Sequence, residues 1–254
     1  MKLYYSPGAC SLSPHIALLE AGLPYELVKV DIRAKKLENG EDYLKLNPKG
    51  QVPALGLDSG EIVTEGPVIV QMIADQASAK ALAPAHGSAE RYKLLEWLNF
   101  LTSEVHKSFG PMFAPALNDE AKAFFKDRVM GKLKYIDSQL AGRDYLMGKQ
   151  FTVADGYLFT MLTWADRMKF DLSAMPNLTA YKTRVAARPT GAGGAEEGRP
   201  RAGKVSARKT QAAKGRTDEF GLSFYAAGRR GERTRCAGSS YLSLTYELLF
   251  AKRK

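Results

Sequence analysis

Apolar residues in the first eighty positions recur at two spacings, and each change of spacing marks an element. Residues 2–5, KLYY, read as a short strand. From Ser11 to Ala21 the spacing becomes helical, with Leu12, Ile16 and Leu19 on one stripe. Pro14 belongs in the first turn of that helix, where its missing N–H costs little, and Gly22 ends it as a left-handed cap. Residues 25–31, YELVKVD, alternate as a strand, and a charged segment follows with a short helical stretch near 41–46. A strand over 53–57, a turn at Asp58-Ser59-Gly60 and a strand over 61–63 make a hairpin. A helix then runs from about 65 to 76. The order β-α-β-α-β-β-α predicts a four-stranded sheet with a parallel βαβ start and a hairpin finish.

Beyond residue 77 the pattern is helical throughout. Residues 78–87 read as a linker, rich in alanine and holding Pro84 and Gly87. One long helix is expected over 88–109, stopped by Gly110-Pro111. A second is expected over 118–140, with Phe124, Val129, Leu133, Ile136 and Leu140 as its apolar face. Thr152-Val153-Ala154-Asp155 opens a third as a capping box, Asp155 reaching back to the N–H of Thr152. A fourth covers 177–187. The chain thus divides into an α/β unit over 1–77 and an all-helical unit over 88–189.

Residues 190–254 have no apolar periodicity. They are rich in glycine, alanine and charge, the composition of a disordered tail. Charge sharpens the boundary. Of 37 Lys/Arg and 27 Asp/Glu, 14 and 6 lie in the tail, which carries +8 of the net +10. Residues 1–189 are close to neutral, so nucleic acid is not an expected partner. No apolar run approaches the roughly 18–20 residues that span a bilayer, so no membrane partner is expected either. The two cysteines, Cys10 and Cys236, make no disulfide framework, and a cytoplasmic protein is expected.

Cys10 stands between a glycine-containing turn and the first helix. Free N–H groups and the helix dipole at such a position favour a thiolate, either its own or that of a bound ligand. The other reading is a small buried hydrophobe. Position 13 is Ser13, so there is no C-x-x-C pair and any disulfide chemistry needs an external thiol. In "QVPAL" Pro53 opens a strand; a cis bond there would turn the backbone of Val52 toward an extended peptide, and sequence alone leaves it trans. "TEGP" puts Glu65 and Gly66 at a helix start, able to meet an amine and a carboxylate, or simply to cap the helix with Thr64. In "EWLNFLTSEVHKSF" Asn99, Ser103 and His106 share one face at i, i+4 and i+7. That face is either merely solvated or the second wall of a cleft. No metal-ligand cluster, phosphate loop or Ser-His-Asp arrangement is present in the pattern.

Taken together these segments resemble a glutathione transferase: a thioredoxin-like α/β N-terminal domain followed by an all-α domain. "YSPGACSLSPHIAL", "LENGEDYLKLNPKGQVPAL" and "EWLNFLTSEVHKSF" are similar to the bacterial beta class, and "GKQFTVADGYLF" to the folding motif of its helical domain. The resemblance covers residues 1–189. It implies glutathione as co-substrate, small and largely apolar electrophiles, a detoxifying role and a homodimer. It assigns Cys10, Ser11 and His106 to the glutathione sulfur. Lys35, Gln51, Val52, Pro53, Glu65, Gly66 and Lys107 are implied along the peptide, with Val52–Pro53 now expected cis. Asn99 and Ser103 would serve at the cleft wall or across the subunit interface. Relatives often carry serine where Gly66 stands, so only the backbone contact is implied here. Tyr5 matches a tyrosine that other classes use, without that role in beta-like enzymes. Phe109, Met112, Phe113 and Trp164 would face the electrophile.

Family members end soon after the point corresponding to Arg188-Pro189. One back-translation of "TGAGGAEEGRP" with a single G removed reads as a helical segment resembling the usual family terminus. Residues 190–254 are therefore expected to be a frameshift product, or else a genuine basic tail for an acidic partner. Two other activities share the fold: glutathione-dependent disulfide reduction or dehalogenation through a Cys10 mixed disulfide, and storage of apolar ligands without catalysis.

Overall fold

The computed structural model describes residues 1–189; the expected tail lies outside the described residues. β1 (Lys2–Tyr5) pairs in parallel with β2 (Glu26–Asp31) and antiparallel with β4 (Ala54–Gly56), which pairs antiparallel with β5 (Ile62–Thr64). The parallel start and the hairpin finish are both present. The sheet has five strands, however, in the order β3-β2-β1-β4-β5, because β3 (Lys36–Leu37) adds to the edge of β2. A two-residue strand is too short to show alternation in sequence. Its return is driven by Asp31, whose Oδ1 accepts from the N–H groups of Arg33 and Ala34 at 2.9 Å, and by burial of Leu37. The helical stretch expected near 41–46 is a 3-10 turn, Tyr43–Lys45, capped by Asp42.

The period-two rule places Leu3 and Leu55 on one face of the sheet and Tyr4 and Ala54 on the other. Leu3 and Leu55 join the main core beneath α1 (Leu12–Ala21) and α2 (Gly66–Gln76). Tyr4 and Ala54 close a smaller cluster with Val30, Leu37 and Tyr43. Gly22, at φ +67°, caps α1 as the sequence requires, its N–H donating to the Leu18 and Leu19 carbonyls.

The helical unit opens with α3 (Ala89–Phe100), capped by Ser88. The rod does not continue as a plain α-helix. Leu101–His106 form a π segment, followed by α4 (Lys107–Phe109) and a 3-10 turn, Gly110–Phe113. Local side chains compete for the main-chain carbonyls there. Thr102 Oγ1 donates to Leu98 O at 2.8 Å and Ser103 Oγ to Asn99 O at 2.9 Å. α5 (Asp119–Gln139) buries Val129, Leu133 and Ile136, but Phe124 is 59 % exposed and lies off the predicted apolar face.

α6 (Val153–Arg167) is buried on nearly all sides and is the axis on which both units pack. It touches α1 closely because residue 156 is glycine; a Cβ there would stand 3.2 Å from Ile16 Cγ2. Asp155 holds its start. The carboxylate accepts from the N–H and hydroxyl of Thr152, the N–H of Leu146 and the hydroxyl of Tyr181. α7 (Pro176–Ala186) supplies Tyr181. Just after it, Arg188 grips Glu20 of α1 through Nε and one terminal nitrogen, at 2.6 and 2.7 Å, and lies 4.3 Å from the Phe151 ring centroid.

Candidate active site

Residues 6–11 form a tight loop between β1 and α1, and its shape is set by Ser11 and Gly8. Ser11 is fully buried; its hydroxyl both accepts from Ser6 N–H and donates to Ser6 O, each at 3.2 Å. That hydroxyl closes the loop onto Ser6. Gly8 has φ +69°, and a Cβ on it would stand 2.4 Å from a guanidinium nitrogen of Arg167. Its carbonyl accepts from Trp164 Nε1 at 3.0 Å, so the loop is tied directly to α6.

The half-buried Cys10 thiol donates to Val52 O at 3.1 Å. Burial pushes the thiol up to about 11; the N–H groups of Cys10 and Ser11, and then the Lys107 cation, oppose that rise without overcoming it. The helix start therefore does not make Cys10 acidic, and of the readings left open by its position a thiolate of its own is the one this burial disfavours. Desolvation of a small, mostly enclosed thiol outweighs two hydrogen bonds and one exposed cation. The two N–H groups nevertheless point at the sulfur position and would serve any thiolate placed there.

The Val52–Pro53 bond is cis, as the resemblance implies. The segment before it is fixed from behind: Gln51 O accepts from the Tyr43 hydroxyl at 2.9 Å and from Asn47 Nδ2 at 2.8 Å, while the Gln51 side chain is exposed. Glu65 occupies the position before α2 at φ +69°, a conformation unusual for any residue but glycine. It makes no cap with its side chain; Lys49 Nζ lies 2.7 Å from its carboxylate and also donates to Thr64 Oγ1. Thr64 is therefore not the cap. Gly66 begins α2, with room beside Pro53 for a Cβ at 3.9 Å. Lys35, also at positive φ, donates to Gly50 O at 2.7 Å.

From the helical unit come His106, Lys107, Tyr157 and Trp164. His106 is half-buried; its Nδ1 lies 2.7 Å from the Tyr157 hydroxyl, and its ring stands edge-on to Trp164, centroids 5.0 Å apart. Burial, helped by the neighbouring Lys107 charge, lowers the imidazole to about 4, so it is neutral near pH 7. Burial holds the Tyr157 hydroxyl well above the ordinary range, and charge at Cys10 or Glu65 adds to that rise. Cys10, Glu65, Lys107, His106 and Tyr157 thus act on one another across a single junction. Asn99 and Ser103 are exposed on the preceding turns of the rod, and Ser103 spends its hydroxyl on Asn99 O. Phe109 is wholly buried against Phe170, so it lies under the site; Phe113 is 45 % exposed beside Trp164.

Sequence reasoning missed Tyr157. Its signal was present: Tyr157 and Trp164 are seven residues apart, two turns along one face of α6. The spacing passed as core because the whole helix is apolar. Among the described residues no group of His, Cys, Asp and Glu is placed to hold a metal, and no helix is long and apolar enough to cross a membrane.

Residues 8–76 match the glutathione S-transferase N-terminal domain and residues 100–189 the C-terminal domain. The chain is 46 % identical over 189 residues to glutathione S-transferase GstA of Escherichia coli O157:H7, covering 74 % of this chain and 94 % of that one. A sphingomonad glutathione S-transferase solved with glutathione is 53 % identical, with a TM-score of 0.74 over 77 % of this chain and 97 % of that one. The beta-class enzyme of Sphingomonas chungbukensis is 50 % identical, with a TM-score of 0.75 over the same shares. With the cis Val52–Pro53 bond, the five-stranded sheet and the helical unit behind it, this chain belongs to the glutathione S-transferase family, alongside the bacterial beta class.

Proposed function

We propose that the junction binds glutathione with its sulfur beside Cys10 and transfers that sulfur to small, largely apolar electrophiles. The observation that carries this reading is the surroundings of Cys10. Two backbone N–H groups and the Lys107 cation favour negative charge at a position where the resident thiol itself stays protonated. A ligand thiolate is the group such an environment serves. The backbone of Val52 is assigned to the cysteinyl unit, and Glu65 and the Gly66 N–H to the γ-glutamyl amine and carboxylate. Lys35 and Gln51 are assigned to the glycyl end. Asn99 and Ser103, exposed on the rod, are assigned to the subunit interface of a homodimer in a reducing cytoplasm, where the enzyme would remove reactive compounds.

In the reaction the glutathione thiol first loses its proton to solvent. The thiolate pair then forms a bond to the electrophilic carbon, and the leaving group departs with its own electron pair. His106, neutral, and the N–H groups of Cys10 and Ser11 hold the sulfur anion before attack. Phe113, exposed and edge-on to the buried Trp164, offers aromatic surface for the electrophile. Residues 190–254 take no part in this assignment.

Retention on immobilised glutathione, followed by turnover of aryl halide, epoxide and disulfide substrates, tests the proposal. Retention with conjugation of at least one carbon electrophile supports it. Loss of both would overturn it, and disulfide turnover alone would move the chemistry to a Cys10 mixed disulfide.

A further inference from the structure

We propose that Tyr157 is a positioning residue for His106, its hydroxyl donating to Nδ1 and so keeping the imidazole proton on Nε2, where it can be given to the sulfur. This rests on the assignment of His106 above and deepens it: His106 then acts as a hydrogen-bond donor to an anion, not as the base that takes the thiol proton.

The direction of the bond follows from the neighbours. Tyr157 Oη lies 2.7 Å from His106 Nδ1 and 3.4 Å from Thr102 Oγ1. Thr102 gives its own proton to Leu98 O at 2.8 Å, so it offers Tyr157 only a lone pair. Were Nδ1 to carry the proton and donate, the phenol proton would have only that 3.4 Å contact, beyond the usual range for two hydroxyls. With Tyr157 as donor to Nδ1, the short bond takes the phenol proton and every group is satisfied. A neutral imidazole that accepts at Nδ1 must carry its hydrogen at Nε2.

Nε2 is free to use it. Among the described residues it has no hydrogen-bond partner. The one buried side-chain polar atom without a partner there is Ser13 Oγ, so Nε2 is reached by solvent. The ring cannot turn freely, because Trp164 and Tyr157 both stand edge-on to it. Trp164 is itself held by Gly8 O in the loop that carries Cys10. Tyr157 and Trp164 thus set the proton and the ring orientation from one face of α6.

Nitrogen-15 NMR of the ligand-free protein tests this without reference to catalysis. At neutral pH His106 should show a pyridine-like, hydrogen-bonded Nδ1 and a pyrrole-like Nε2. In Tyr157→Phe the Nδ1 resonance should move to an unbonded position and the Nδ1–H form should gain population. Turnover of a carbon electrophile should fall about tenfold, the worth of one hydrogen bond, with KM for glutathione nearly unchanged. A cycle with His106→Gln separates positioning from packing: Tyr157→Phe should cost little more in the His106→Gln background. Fluorotyrosine at 157 keeps the packing and should shift Nδ1 with the acidity of the phenol, should the phenylalanine variant fold poorly. A proton found on Nδ1 in the parent protein, or additive losses in the cycle, would overturn the proposal. Failure to bind glutathione would instead overturn the assignment of the site and leave the tautomer result standing.

Discussion

The two walls of the site are built from different material. The wall from the α/β unit is mostly backbone: the N–H groups of Cys10 and Ser11, the carbonyl of Val52 and the first N–H of α2. Some of its side chains serve the loops, as Ser11 does for Ser6, while Lys35 meets Gly50 O and Glu65 meets Lys49 beside the proposed peptide site. The wall from the helical unit is side chain: His106, Lys107 and Phe113, backed by the buried Tyr157 and Trp164. A backbone wall recognises what all its ligands share, because its shape is fixed by turns and strand pairing. A side-chain wall can change with single substitutions while the fold stands. On the proposed function, the constant ligand lies against the first wall and the variable one against the second.

Substitutions ranked by free energy test that contrast. The largest effect is expected where the side-chain wall is anchored. Asp155→Ala leaves the Thr152 and Leu146 N–H groups without their buried acceptor, while the Tyr181 hydroxyl keeps the backbone carbonyl of residue 155, at about 3 kcal/mol in denaturant unfolding. Activity should fall with it, since α6 carries Tyr157 and Trp164. Asp155 also carries a pH signature. Burial raises its carboxyl to about 6, above the unfolded value, so the native state binds more protons between pH 4 and 6. Stability from this group therefore falls as pH rises through that window, and Asp155→Asn should flatten the slope.

Next comes His106→Gln, expected to lower conjugation about 100-fold with stability nearly unchanged, read from kcat/KM and a melting curve. Arg188→Ala follows. It strips Glu20, whose side chain is only 10 % exposed, of a bidentate partner that is itself part-exposed. A loss of about 2 kcal/mol is expected, seen as a drop in melting temperature of roughly 4–8 °C. This would show that the walls are held at a distance from the chemistry.

The smallest effects belong to the backbone wall. Cys10→Ala should leave conjugation within about threefold, because a thiol near 11 is protonated at pH 7 and supplies no nucleophile. Disulfide reduction should vanish in the same variant. A large loss of conjugation would give the α/β wall a working side chain and break the comparison. Gly66→Ser should change stability by no more than about 0.5 kcal/mol, since its Cβ meets only Pro53 Cγ at ordinary contact distance.

The sequence made the first wall largely legible and the second only in outline. Gly22, Pro14 and the Asp58-Ser59-Gly60 turn are local signals, and the structure uses each where its chemistry requires. The state of Cys10 stayed open in the sequence, because position at a helix start is visible there and enclosure is not. β3 escaped because two residues have no period, and Phe124 misled because helical spacing alone does not say where an apolar face stops being covered. The π segment lies within the i, i+4, i+7 spacing of Asn99, Ser103 and His106 and was not visible in it. A wider turn changes the angle between residues, and nothing in the letters announced it except hydroxyls at 102 and 103.

That wider turn has a mechanical side. Helices kink where a π turn interrupts the ladder, so any bend of α3 through α4 belongs between Leu101 and His106. The imidazole sits at the very end of this segment, while Tyr157 is carried by α6, which is buried on nearly all sides. Flexing this segment would draw the ring off its phenol, but Leu101 and Val105 within it are wholly buried, so the core braces the turn and keeps the imidazole seated.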